Sequence, residues 1–136
     1  LTRRLEGTPC QVLNPVRLRI SATRYLYPDL IVVCGQPKLT DEHKDTLINP
    51  KVIVEVLSPS TEDYCYGRKA QLYRGLTNLD EYILISQAEP KVDVFHRTAE
   101  GDWLLRTASG LESSVAIEAL SIVVPLAEVY QGVTFG

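Results

Sequence analysis

Lys51-Val52-Ile53-Val54-Glu55-Val56-Leu57 is one of the most apolar stretches of the chain, yet a carboxylate sits in the middle of it. An unbroken run of branched residues marks a strand covered on both faces. An ionised carboxylate in such a strand is costly unless it lies near the strand end, pairs with a cation or binds a metal. A second acid has a similar setting upstream, where Tyr27-Pro28-Asp29 leads into Leu30-Ile31-Val32-Val33. Two carboxylates attached to two apolar strands are the main functional clue in this sequence.

Strand signals dominate on either side. In residues 10–20, Val12, Val16, Leu18 and Ile20 with Arg17 and Arg19 between them give the period-two pattern of one half-buried strand. Residues 30–34 form a short apolar strand. Residues 35–49 are polar, hold Pro37, Asp41, Glu42, His43, Lys44 and Asp45, and read as a loop long enough to carry function. Ser60, with Asp63 three residues on, resembles a helix start. The helix expected over residues 64–76 puts Ala70, Tyr73 and either Gln71 or Leu72 on one face, with Arg68 and Lys69 on its flank. Gly67 weakens it by about 1 kcal/mol, and Gly75 and Asn78 end it. Three strands are expected at residues 81–86, 92–97 and 103–107, the last two as a hairpin across residues 98–101. Residues 115–117 and 121–124 are shorter strands, and Pro125 opens a last helical turn running to Tyr130. The order β, β, loop, β, α, β, β, β is that of a mixed sheet with one central helix, an α/β or α+β class.

One domain spanning residues 1–136 suits this length. With no methionine in the sequence, the reading expects an N-terminal segment to be missing ahead of Leu1. Hydrophobic residues at 45% are enough for a core, and 23% charged residues are ordinary. No apolar run approaches the ~20 residues of a membrane span, and no signal-peptide pattern is present. A cytoplasmic protein without a membrane partner is expected. Cys10, Cys34 and Cys65 form no CxxC pair and no zinc spacing, so free thiols in a reducing compartment are expected. A net charge of −3 argues mildly against a protein that coats nucleic acid. It leaves a nuclease open, because acidic metal ligands count as negative only until the cation binds.

Asp29 begins one apolar strand, Glu55 lies late in the next, and Lys69 is on the helix that follows. If the strands are neighbours, both carboxylates can converge on one cation. Mg²⁺ takes a few carboxylates and keeps waters, and the ion activates a water and offsets phosphate charge. A lysine adds a point charge for the phosphate or steadies the water. The plainer readings are a turn aspartate after Pro28, a glutamate satisfied by an arginine, and a solvated helix lysine. Among the other residues, His43 reads as solvated and His96 as structural. Tyr66 and Tyr73 are candidates to stack on bases, though core packing is the commoner fate of such rings. Arg17, Arg19 and Arg24 are candidates for phosphate contact, with a solvated face slightly preferred. Ser58 and Ser60 lack a His–Asp pair for serine chemistry.

The segments Tyr27-Pro28-Asp29-Leu30-Ile31-Val32-Val33, Asn49-Pro50-Lys51-Val52-Ile53-Val54-Glu55-Val56-Leu57-Ser58-Pro59-Ser60-Thr61 and Gly67-Arg68-Lys69-Ala70-Gln71-Leu72-Tyr73-Arg74 together resemble the bacterial Uma-type restriction endonucleases, a branch of the PD-(D/E)XK superfamily. The likeness continues through Leu79-Asp80-Glu81-Tyr82-Ile83-Leu84-Ile85 and Val92-Asp93-Val94-Phe95. It implies a restriction-endonuclease-like mixed sheet with flanking helices. It also implies an Mg²⁺ (or Mn²⁺) site held by Asp29, Glu55 and the carbonyl of Val56. The superfamily's lysine usually comes two residues after the glutamate, where this chain has Leu57; in the Uma-type branch a helix lysine, matched by Lys69, takes that part. Residues 40–47 also fit the likeness and would form a flap over the site. Cys65 stands where Uma-type sequences commonly carry an aspartate. The implied partner is nucleic acid, DNA foremost. A homodimer is expected from exposed hairpin edges and from symmetric cutting of two strands. The alternative is a catalytically inactive domain of the same fold acting as a binding module; a small-molecule phosphoesterase is a third reading.

Overall fold

A computed structural model describes residues 7–13, 17–20, 24–39 and 46–133. In chain order the strands are β1 (Cys10–Leu13), β2 (Arg17–Arg19), β3 (Tyr25–Leu26), β4 (Leu30–Cys34), β5 (Thr46–Leu47) and β6 (Val52–Val56). Two short helices follow, α1 (Glu62–Tyr66) and α2 (Arg68–Arg74). The chain continues through β7 (Glu81–Ile85), β8 (Lys91–Arg97), β9 (Trp103–Ser109), β10 (Ser114–Ile117), a 3-10 turn at Glu118–Leu120, β11 (Ile122–Pro125) and α3 (Leu126–Val129).

Six strands make the central sheet in the order β1-β4-β6-β7-β8-β9. Only β6 and β7 run parallel, Glu55 lying opposite Leu84, and a parallel pair needs a crossover. Here α1 and α2 supply it. Their placement follows from the pleat, in which successive side chains face opposite ways. Val52 and Val54 join Val32, Ile83, Val92 and Val94 in the core beneath β10, β11 and α3. Ile53 and Leu57 point the other way, into a core shared with Ile31, Val33, Tyr82, Leu84, Ala70 and Tyr73. Glu55 belongs to this second face, as does Asp29 by its parity with Ile31. The mixed α+β architecture expected from the sequence is the one observed.

Several details differ from the sequence reading. Residues 10–20 are not one strand: β1 pairs with β4 in the main sheet, whereas β2 joins a separate small sheet in the order β3-β2-β5. The alternation is real on both pieces but cannot reveal a change of sheet. The crossover helix is broken at Gly67, whose φ is −96° and ψ −100°. A Cβ there would stand 3.0 Å from the carbonyl oxygen of Asp63, so the glycine lets the chain turn tightly where the helix was expected to be merely weakened. The helix start also differs. Thr61 is the N-cap with no side-chain capping bond, because its hydroxyl receives the Ser58 N–H at 3.2 Å and meets the Ser58 hydroxyl at 2.8 Å.

The expectation of three free thiols is overturned. Cys10 and Cys34 are directly opposed across β1 and β4 and joined as a disulfide, while Cys65 is free and buried. Chain spacing could not disclose this pairing, since it depends on antiparallel register between distant segments. His43 and the neighbouring Asp41, Glu42, Lys44 and Asp45, read as part of a flap, lie outside the described residues. So does Val16. No helix among the described residues is long and apolar enough to cross a membrane.

Candidate active site

Glu55 is 2% exposed, and each of its polar contacts is with a donor. Its Oε1 accepts the backbone N–H of Asp29 at 2.9 Å. Its Oε2 is paired with the ammonium of Lys69 and lies 3.4 Å from the donating hydroxyl of Tyr73. Asp29 returns the link across the strands, its Oδ2 accepting the backbone N–H of Val56 at 2.7 Å. The two acids therefore hold each other's backbone, which fixes both side chains at the ends of β4 and β6. Buried, this constellation is tolerable only because each partner is satisfied.

Lys69 reaches Glu55 because of the break at Gly67. The chain restarts as α2 at Arg68, so Lys69 falls in its first turn, over the end of β6. Its side chain is 15% exposed, and its Nζ lies 5.9 Å from the ring centres of both Tyr64 and Tyr73. Leu57, where a lysine would sit in the commoner superfamily pattern, is 3% exposed and packs in the core with Ile53 and Tyr73. A lysine there would be driven into apolar packing, so the positive charge comes from the helix.

Asp29, Glu55 and Lys69 share a cleft of about 270 Å³ with Val56, Cys65, Ser58, Thr61, Tyr27 and Tyr64. Burial pushes the Cys65 thiol up, against the opposing pull of the Lys69 ammonium. The Cys65 backbone carbonyl accepts the hydroxyl of Tyr82 at 3.0 Å. Cys65 is thus a core residue, and it leaves the Lys69–Glu55 pair intact. Burial and the neighbouring Glu55 charge push the Tyr73 phenol well above its ordinary range, so it serves Glu55 as a donor.

No group of three or more His, Cys, Asp or Glu side chains gathers as a metal cluster among the described residues. A cation in the cleft would have two carboxylates and the Val56 carbonyl. That set suits Mg²⁺ or Mn²⁺, which take hard oxygen donors and fill remaining positions with water. Asp29 is exposed, and its Oδ1 accepts no hydrogen bond among the described residues, which leaves an oxygen free for such an ion.

The other candidates separate cleanly. Tyr66 and Tyr73 cannot stack on bases. The Tyr66 hydroxyl is bound to the buried carboxylate of Asp93, and Tyr73 is fully buried. Arg17 donates to the Thr46 hydroxyl at 2.7 Å and lies 5.0 Å from the Tyr25 ring centre. His96 bridges Glu81 at 3.1 Å and Glu118 at 3.0 Å, on the opposite face of the sheet, which agrees with its structural reading. Tyr27 and Tyr64 also line the cleft, and nothing in the sequence pattern singles them out. The signal available was their position, one just before the Pro28-Asp29 pair and the other in α1, the short helix ahead of Lys69.

Residues 1–127 match the Uma2 family, described as "Putative restriction endonuclease". The chain belongs to the Uma2 family. Two uncharacterised proteins of Synechocystis sp., slr1290 and sll1609, are 34% and 32% identical to it over 96% and 81% of this chain. The chain spans 68% and 63% of their respective lengths. A crystal structure described as a putative nuclease belonging to DUF820, from Anabaena variabilis, superposes with a TM-score of 0.70 at 14% identity, covering 91% of this chain and 69% of that one. At that identity the likeness carries the fold and nothing finer. Uma2 membership agrees with the resemblance read from the strand and helix motifs around Asp29, Glu55 and Lys69.

Proposed function

We propose that this chain is the nuclease domain of a metal-dependent endonuclease that hydrolyses phosphodiester bonds in DNA. The observation that carries the proposal is the meeting of Asp29, Glu55 and Lys69 in one cleft, each held by a named partner. Asp29, Glu55 and the Val56 carbonyl would hold the cation. When bound, Mg²⁺ or Mn²⁺ would lower the pKa of a coordinated water and offset charge on the phosphate. The protein supplies the rest. The Asp29 and Val56 backbone N–H groups fix the carboxylates before substrate arrives, so little reorganisation is needed. Tyr73 keeps Glu55 in one rotamer. Lys69, relieved of part of its attraction to Glu55 once a cation shares that carboxylate, is placed to steady the attacking water or the scissile phosphate.

A homodimer suits this reading. Among the described residues the edge strand β9 has no strand on its outer side, and it exposes Leu104 at 44% and Leu105 at 49%, an edge that needs cover.

The test is a cleavage assay on supercoiled and linear DNA with the full-length protein in Mg²⁺ or Mn²⁺. Cleavage that disappears on chelation and in Glu55→Ala and Asp29→Asn is expected. Equal cleavage by wild type and Glu55→Ala would remove the assignment. Absence of both cleavage and Mn²⁺ binding would favour a non-catalytic binding module on the same fold.

A further inference from the structure

We propose that Tyr27 and Tyr64 are a pair of stacking lips that grip unpaired bases beside the scissile phosphate. The preferred substrate is then single-stranded or locally unpaired nucleic acid. The inference rests on the nuclease reading above and narrows its substrate class.

The chain has seven tyrosines, and five are committed elsewhere. Tyr25 lies against Arg17, Tyr66 is bound to Asp93, Tyr73 to Glu55 and Tyr82 to the Cys65 carbonyl. Tyr130 donates to Ser86 and Lys91 carbonyls. The remaining two, Tyr27 at 63% and Tyr64 at 44% exposure, make no hydrogen bond among the described residues. Both border the cleft that holds Asp29, Glu55 and Lys69. An exposed aromatic ring gives up apolar burial, and two such rings at one cleft are what a stacking platform for nucleobases needs.

Burial adds a second argument. Glu55 is 2% exposed and lines the same cleft as both rings, so a phosphate that approaches Glu55 comes up beside Tyr27 and Tyr64. In an intact duplex the bases are stacked and turned inward, and rings beside a backbone phosphate find no base face to cover. A strand whose bases are splayed can bring its phosphate to the cleft while its bases lie on Tyr27 and Tyr64. Tyr64 is also 5.9 Å from the Lys69 ammonium by its ring centre, so a base stacked there would bring its own phosphate within reach of that charge.

The experiment measures binding by fluorescence anisotropy with full-length protein in Ca²⁺. This hard cation takes longer bonds and looser geometry than Mg²⁺, and gel analysis verifies that the strand stays whole. The probes are a labelled single-stranded oligothymidylate, the same strand with central abasic sites, and a blunt duplex. The single strand is expected to bind more tightly than the duplex. Tyr27→Ala and Tyr64→Ala should each weaken it roughly 5- to 150-fold, the span of 1–3 kcal/mol per stacked base, while Tyr27→Phe and Tyr64→Phe stay within about twofold. On the abasic strand wild type should lose affinity and the alanine variants should lose no more. Unchanged urea midpoints for the alanine variants would show that the fold is intact. Duplex binding at least as tight as single-strand binding, with silent alanine variants, overturns this inference and leaves the nuclease reading standing. Failure to bind any of the probes overturns both.

Discussion

Removing the Glu55 carboxylate should cost stability mainly through the charge it strands. Glu55 is 2% exposed, and Lys69, its partner, is 15% exposed in its side chain. Glu55→Ala leaves that ammonium without its counter-ion, the Asp29 N–H without its acceptor at 2.9 Å, and the Tyr73 hydroxyl without its own. Breaking a buried ion pair from one side costs about 3–5 kcal/mol, against a total of about 5–15 kcal/mol for a typical domain. Lys69→Met should cost a comparable amount, since it strands the carboxylate. Removing both charges together leaves neither stranded, so the double variant should be more stable than the sum of single losses implies, by about 2–3 kcal/mol of coupling. The assay is equilibrium urea unfolding in EDTA, followed by the fluorescence of the single tryptophan, Trp103. Losses that add to within about 0.5 kcal/mol, the scatter of independent sites, would refute the reasoning and mean that the two residues do not share a buried pair.

Reducing the Cys10–Cys34 disulfide, or replacing Cys10 by Ser, should lower the unfolding free energy by about 3.5 kcal/mol, the chain-entropy value for a loop of this length; a urea midpoint indifferent to reductant would count against the bond. Burial holds the Glu81 carboxyl above its ordinary value of 4.5, so ionising it costs more in the folded chain than in the unfolded one. Stability present at low pH should therefore be lost as pH rises from about 4.5 through that raised value, and urea midpoints over this range should flatten in Glu81→Gln; identical profiles would remove Glu81 from the account. Light scattering at micromolar concentration should give twice the 15.2 kDa chain mass for this segment, and Leu105→Lys should shift it to one; a monomeric wild type would contradict pairing through β9.

Where local pattern was enough, the sequence reading held. The apolar runs at β4 and β6, the β8–β9 hairpin and the Pro125-initiated α3 are all set by neighbours in the chain. Asp29 and Glu55 were legible as a pair because a charge inside an apolar strand demands a reason, and Lys69 through the family resemblance, in which a helix lysine stands in for the position held here by Leu57. The failures are matters of register and direction. The Cys10–Cys34 pairing depends on which residues oppose each other across β1 and β4, and the split between β1 and β2 on which sheet each joins. Core packing, the commoner fate of helix rings facing a sheet, is what Tyr73 adopts against Glu55, while Tyr66 is held by Asp93. Tyr27 and Tyr64, with no periodicity to mark them, emerge only when the cleft is built.

The central claim is that Asp29 and Glu55 form one cation site. A crystal soaked in Mn²⁺, with data collected for anomalous scattering, tests it most directly. A peak bounded by the carboxylates of Asp29 and Glu55 and the carbonyl of Val56, with waters completing the shell and Lys69 beside it, is the predicted result. Density free of manganese at that position, with Glu55 still paired with Lys69 and the Asp29 N–H, would contradict the account.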